Sequence, residues 1–485
     1  MRQTSRFILI GGCAALLAGC AVGPDFKPPA AQVPAAWNTA DRADGVTSAP
    51  AGEGAWWTSF HDAELTALID RATAENLDAK AAVLRIAQAR AQHDIVLAGA
   101  LPTLDANASG EVNRLSESTP TGALFSKVGK VPGFSGVQIP NPYEQEQLGF
   151  DASWEIDLFG RVRRSAEAAR ADTAASIEDS RSVLITVLGE VARAYVDLRG
   201  AQAKRQLLSE TAATTKALLQ LAEHREQAGS GSRIDVVRAG AEASSAEAQI
   251  PALDHQIDAD INQLSLLIAR EPGALGAELK TSQPIPPAPP LVPVGLPADL
   301  ARRRPDIRAA EARLHAATAR IGVAMGDLYP KLTLSGQAGY QSQTLPMLTS
   351  WASRFFTAGP AVELPIFEGG RLRATVRLQD SQAASGALNY RSTVLSALHE
   401  VDNALNAYAA DRARDAALAD TVAQNAESAD LARQRYASGL GAYTDVLDAQ
   451  RTLQQNALLS ADARTAVSID LVVIYKALGG GWDAA

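Results

Sequence analysis

Between residues 103 and 112 the chain alternates. Leu104, Ala106, Ala108, Gly110 and Val112 are apolar or small, while Thr103, Asp105, Asn107, Ser109 and Glu111 are polar. Leu148, Phe150, Ala152, Trp154 and Ile156 alternate in the same way with Gly149, Asp151, Ser153, Glu155 and Asp157. A period of two predicts strands with one apolar and one polar face. Each run is about ten residues, the length of a membrane-spanning strand tilted by about 45°. The pattern returns with Leu332, Leu334, Gly336, Ala338 and Tyr340 set against Thr333, Ser335, Gln337 and Gln341. A fourth strand is predicted at about 358–367, with Val362, Leu364 and Ile366 on one face and Glu363 on the other. Pro360 and Pro365 flank or interrupt it, and Pro365 is placed at its end or at a bulge because proline cannot donate to a ladder. Trp154, Trp351, Phe355 and Phe356 are candidates for interfacial belts. One such hairpin alone fits a soluble protein with one face on a core better than a membrane wall; two point to a barrel wall with lipid outside and water inside.

Elsewhere the period is helical. A helix is predicted from Asp62 to Ala100, ended by Pro102. Another runs from Arg161 to Ala228 without a proline, about 100 Å at 1.5 Å per residue. Leu184, Leu188, Val191, Tyr195 and Leu198 follow coiled-coil spacing, as do Leu208, Ala212, Thr215, Leu219 and Ala222, and later Leu398, Val401, Leu405 and Tyr408. Return helices are predicted from Arg233 to about Glu271, with a kink at Pro251, and from Tyr443 to about Leu478. Asp306 to Leu328 repeats the first helix.

The two halves are versions of one unit. RYASGLGAYTDVLDAQ (Arg435–Gln450) has an earlier copy 210 positions upstream, REQAGSGSRIDVVRA (Arg225–Ala239). Arg225, Gly229, Gly231, Asp235 and Val236 match Arg435, Gly439, Gly441, Asp445 and Val446. The same offset pairs Ile156, Gly160 and Arg161 with Ile366, Gly370 and Arg371. A self-match of this kind marks a duplicated unit. The expected organisation is a signal peptide (1–19) and an extended arm (20–60) pinned by Trp56 and Trp57. A first repeat (61–272) follows, with its β-hairpin at about 103–158 and helical hairpin at 161–272. A Pro-rich connector (273–298) leads to a second repeat (299–480), with a β-hairpin at about 331–367 and a helical hairpin at 370–478.

The N-terminus adds an address. Arg2 and Arg6 precede an apolar run, Phe7–Leu17, and then Leu17-Ala18-Gly19-Cys20, which reads as a secretory signal. Its end resembles a bacterial lipobox, so Cys20 is the expected lipidation site, and Ala21 favours sorting to the outer membrane. The other cysteine, Cys13, lies inside the signal, so no disulfide is expected. Aromatic content is 5%, which argues against several bulky cores and for closely packed alanine-rich helices. A net charge of −9 gives no footprint for nucleic acid. His399-Glu400 lacks the second histidine of a zinc-protease helix. No cysteine/histidine cluster suggests a metal, no Gly-rich turn has the context of a nucleotide loop, and neither an enzyme nor a cofactor is expected.

Four membrane strands cannot close a barrel, and open edges are not tolerated in hydrocarbon, so oligomerisation is required. The lipobox, the duplicated hairpins and the Arg-Tyr-x-x-Gly turn followed by Asp-Val-Leu-Asp-Ala resemble the TolC-like outer-membrane efflux channels. AVGPDFKPP (Ala21–Pro29) and Trp56-Trp57-x-x-Phe60 are similar to the lipoprotein branch of that family, the NodT or OprM-like type. The resemblance implies a homotrimer in the outer membrane, an α+β membrane protein whose twelve-stranded β-barrel, four strands per chain, continues into a long α-helical barrel. It also implies a periplasmic adaptor and an inner-membrane pump of the RND type as partners. A type I protein secretion duct and a lipid-anchored periplasmic coiled-coil scaffold without a pore are the alternatives.

Asp445 and Asp448 lie three apart, hence on one helix face, where a helix N-terminus favours carboxylates. The resemblance makes them, with Tyr436, the periplasmic gate. Gly441 stands where a related channel has an arginine, which leaves Arg433, Arg435 or Arg238 as candidate cations. The turns Gly229, Ser230, Gly231 and Ser232, and Gly439, Leu440, Gly441 and Ala442, are the expected adaptor contacts, since glycine lets another backbone approach closely. Replacing Asp445 and Asp448 together by Ala is expected to raise single-channel conductance; an unchanged value would remove the two carboxylates from the gate.

Overall fold

The computed structural model describes residues 21–30, 33–38, 45–49, 54–127 and 140–482. The signal peptide and Cys20 lie outside the described residues, as does part of the arm. What is described divides into two compact units. One holds the residues up to Lys27, Ala89–Thr173 and Arg313–Gly386; the other holds Pro28–Gln88, Ala174–Ala312 and Ala387–Ala485.

The first unit is built on a four-stranded antiparallel sheet of β2 (Thr103–Asn113), β3 (Tyr143–Ile156), β5 (Lys331–Ser342) and β6 (Arg354–Glu363), in the order β2-β3-β5-β6. Register turns the alternation of each strand into a property of the whole sheet. Ala106, Phe150, Ala338 and Phe356 form one cross-strand row, and Ile156, Leu332 and Val362 another. Asp105, Asp151, Gln337 and Thr357 make a row on the opposite face. The apolar face is bare within the chain, Phe356 being 85% exposed and Leu104 71%. A one-residue slip in any pair would exchange the faces. β2 and β6 each leave one edge without a partner among the described residues.

Three expectations for this unit change. The fourth strand starts and ends about four residues earlier than predicted, at Arg354–Glu363. Leu364, Pro365 and Ile366 lie beyond it, and Pro360 sits inside the strand opposite Leu334. The apolar alternation continues past the strand's end and masked that end, while an edge strand accommodates a proline. Phe355 is not on the apolar face with Phe356; it stands opposite Gly339 on the polar side. The loop expected between the first two strands contains a helix, Pro120–Lys127, and β3 begins at Tyr143.

Where strand gives way to helix, Arg161 pairs with Glu155 (2.6 Å). The arm docks at the same place: the Val22 N–H donates to the Phe159 carbonyl (3.0 Å), Arg164 bridges to Asp25 (2.7 Å), and Phe26 stacks on His315 at 4.4 Å.

The long helices are α4 (Arg161–Gln227) and α9 (Arg371–Ala437), each of 67 residues. Their returns are α5 (Arg233–Leu267) and α10 (Tyr443–Ala477), each of 35. α5 runs through Pro251 and stops short of the expected Glu271. In the second unit most of the predicted seam is buried, including Leu188, Val191, Tyr195 and Leu198, and Val401, Leu405 and Tyr408, while Leu184, Leu219 and Leu398 are half-buried. Trp56 and Trp57 are also buried, and Trp56 stacks on Tyr475 at 5.3 Å. The helix expected over 62–100 is two helices, Ala63–Glu75 and Leu77–Ala98. Asn76 breaks it because its side chain is used twice: Oδ1 accepts from the backbone of Asp78 and Ala79, and Nδ2 donates to the Leu267 carbonyl at 2.7 Å. The connector is not wholly extended. It contains the short helix Gly276–Leu279, and β4 (Val292–Pro293) pairs in parallel with β1 (Val46–Thr47).

Asp260 and Asp470 occupy the same position in the two return helices. Burial pushes Asp470 up to about 7, with Asp411 beside it adding to the shift. Burial likewise raises Asp260 to about 6, with a contribution from Asp197. Unfolded aspartates titrate near pH 4, about 3.9. The stability tied to these protons is therefore complete below about pH 4 and is lost as the pH rises through about 6 and about 7. Asp470→Asn is expected to flatten the profile, with its melting temperature exceeding that of the native chain by a margin that widens from about pH 5 to about pH 8.

Candidate functional site

Each long helix ends in the same six-residue device. Arg225 caps α4: its carbonyl accepts the Ser230 N–H (2.9 Å), and the Glu226 carbonyl accepts the Gly229 N–H (2.9 Å). At the end of α9, Leu440 donates to the Arg435 carbonyl (2.8 Å) and Gly439 to that of Tyr436 (3.0 Å). This is the Schellman pattern, which satisfies orphan carbonyls and requires a left-handed residue. Gly229 and Gly439 supply it, with φ of 70° and 78°. The second glycine of each turn serves a different need. A Cβ on Gly231 would lie 2.8 Å from the Arg225 Cβ and 2.9 Å from its carbonyl carbon, and one on Gly441 would lie 3.1 Å from the Arg435 Cβ. The close backbone approach at these glycines is thus made first by the chain's own helix end. Only the first turn has a side-chain N-cap, Ser232 accepting from the Ile234 N–H (3.3 Å); Ala442 offers none.

The two hairpin ends share a small core of Leu218, Ala222, Val236, Ala239, Tyr436, Tyr443 and Val446. Tyr436 and Tyr443 meet edge to face at 5.4 Å. Arg225 lies over the Tyr436 ring at 4.5 Å and donates to the Tyr436 carbonyl. One turn further from the end, Arg451 holds Glu242 at 2.6 Å. These contacts join the first hairpin to the second.

Asp445 and Asp448 are exposed on α10, turned away from Val446 and the core. Burial raises the pKa of Tyr436, with Asp235 contributing, and lifts Tyr443 to about 12. The Tyr436 hydroxyl has no hydrogen-bond partner among the described residues. Of the cations considered from sequence, Arg433 pairs with Asp430 on its own helix (3.1 Å). Arg435 serves through its backbone. The residues that join the hairpins, Arg225, Tyr443, Glu242 and Arg451, were not singled out by sequence. Arg225 was visible as the repeat equivalent of Arg435. Glu242 and Arg451 have no such signal, because their repeat positions hold Thr452 and Ala241.

The sequence matches the family described as outer membrane efflux protein over residues 68–270 and 296–480. It is 34% identical to the solvent efflux pump outer membrane protein SrpC of Pseudomonas putida, over 97% of each chain. It is 31% identical to nodulation protein T of Rhizobium leguminosarum bv. trifolii, over 96% of each. A solved structure of the outer-membrane channel OprN superposes with a TM-score of 0.86 at 31% identity, covering 96% of this chain and 100% of that one.

If the Tyr436 ring rather than its hydroxyl holds the two hairpins together, Tyr436→Phe is expected to leave thermal stability nearly unchanged. Tyr436→Ala is expected to cost about 3 kcal/mol or more, the usual penalty for emptying an aromatic site. Equal losses in the two variants would assign the role to the hydroxyl.

Proposed function

Because this chain belongs to the outer membrane efflux protein family, we propose that it is the exit duct of a tripartite efflux system, passive in itself and driven by an inner-membrane pump of the RND type through a periplasmic adaptor. Its function is that of an outer membrane efflux channel, and its family is not an enzyme family. The observation that carries the assembly is the four-stranded sheet with one bare apolar face and two unpaired edges. In hydrocarbon every edge must be paired. A trimer pairs β6 of each copy with β2 of the next and closes a barrel of twelve strands, above the minimum of about eight.

Among the described residues no helix is long and apolar enough to cross a membrane. The membrane-embedded part is the sheet, with the lipidated Cys20 as a second hold. The helical hairpins, whose long arms are each about 100 Å, extend into the periplasm. Their joined ends form the gate, with three copies of Asp445 and Asp448 facing the axis and Tyr436 behind them. The turns Gly229–Ser232 and Gly439–Ala442 meet the adaptor, which shifts the open population. SrpC is named for solvent efflux, which favours small molecules over a secreted protein as cargo. A scaffold without a pore has no use for a sheet with a lipid-facing side.

Gln337 and Ala338 are adjacent near the middle of β5 but on opposite faces. Ala338→Arg is expected to abolish outer-membrane assembly, since a cation at mid-bilayer depth costs about 2–4 kcal/mol per copy. Gln337→Arg is expected to assemble as a trimer and change ion selectivity only. Equal behaviour of the two variants, or a mature protein that is monomeric and passes no ions, would overturn the barrel.

A further inference from the structure

Among the described residues, one pair of carboxylates stands directly opposite in the sheet, Asp105 on β2 and Asp151 on β3. Gln337 and Thr357 complete their row, on the polar face. The next row on that face is Asn107, Gly149, Gly339 and Phe355. The two rows hold two carboxylates and no cation. Like charges opposite one another in a sheet cost stability, so the pair calls for a positive charge from elsewhere. Asn107 adds to the demand. Its Nδ2 donates to Asp151, while its Oδ1 is occluded and accepts from nothing among the described residues. The patch has acceptors to spare and lacks donors.

The second row supplies a different chemistry. A Cβ on Gly149 would lie 2.9 Å from the Ala338 carbonyl oxygen, and one on Gly339 would run into that of Leu148. Neither position admits a side chain, so bare backbone separates the acids from Phe355. The Phe355 side chain is half-buried, whereas Phe356 on the other face is 85% exposed. Neighbouring strands lie about 4.8 Å apart. Asp151 and Phe355 are two strands apart, on β3 and β6, so about 10 Å separates charge from ring.

We propose that this patch is a contact site for cargo of one chemical class, organic cations that join a protonated amine to an apolar or aromatic body. The ammonium group donates to Asp105, Asp151 and the Asn107 amide oxygen. The body lies over Gly149 and Gly339 against Phe355. This rests on the barrel reading above, which turns the polar face to water, and adds to it a choice of cargo made by the wall itself. One patch per chain gives three in a trimer. Each holds its cation briefly, because a duct conducts only where binding is weak enough to release.

The test is block of potassium current through the mature protein in planar bilayers. An Asp445→Ala, Asp448→Ala background keeps the tip carboxylates out of the measurement. The probe is 4-phenylbutylamine, protonated at neutral pH, and butylamine is the control that lacks its ring. The phenyl compound is expected to half-block at a concentration roughly threefold to tenfold lower. Asp105→Asn with Asp151→Asn is expected to weaken block by both amines roughly tenfold. Gln337→Arg, which sets a cation in the acid row, is expected to do the same. Phe355→Ala is expected to abolish only the difference between the two amines. Block that is unchanged in the Asn pair and in Gln337→Arg overturns the site and leaves the channel reading standing. A difference between the amines that survives Phe355→Ala overturns the placing of the apolar body. Absence of any current, in the background chain and in the native one, overturns the channel reading itself.

Discussion

Everything in this protein answers to one constraint, that a strand edge in hydrocarbon must find a partner for its backbone. The sheet has a continuous apolar face only because the register of β2, β3, β5 and β6 sets each apolar residue beside another. That face suits lipid, and the two edges of the sheet do not. A chain that carries four strands has committed itself to neighbours, and the proposed trimer is the arrangement that removes the edges. The bare apolar side chains, unusual for a protein in water, then need no further explanation.

The helical part solves a different problem. Its core is thin, made of alanine and scattered leucine, valine and tyrosine, and much of its cohesion comes from a few specific cross-links. Asn76, Trp56 and the Arg225–Tyr436 stack are of this kind. Such contacts are local and individually modest, so they can be undone one at a time. At the ends of the hairpins, where the gate is proposed, this is a useful property, since a gate needs a closed state only slightly preferred over an open one. The hairpin turns are rigid by contrast. Their glycines are held by geometry at Gly229 and Gly439 and by close packing at Gly231 and Gly441, so the proposed gating motion is assigned to the seam between hairpins rather than to the turns.

Much of this was legible in the residues themselves. The period of two located the strands, the long proline-free runs located α4 and α9, and the self-match at Arg435 located both turns. Errors arose where a local pattern outlasted the element carrying it, as with Leu364 and Ile366 beyond β6. They also arose where a side chain substituted for backbone hydrogen bonding, as Asn76 does within an otherwise helical stretch.

The sequence alone determined which faces are apolar, where the chain turns and that the unit is duplicated, because each of these is written in spacing between near neighbours. Only the tertiary structure decided which residues from the two hairpins meet. Arg225 reaches Tyr436 across 211 positions and Arg451 reaches Glu242 across 209. Contacts at that separation depend on how four helices are rotated about their axes, and a rotation leaves no periodic trace in any one of them.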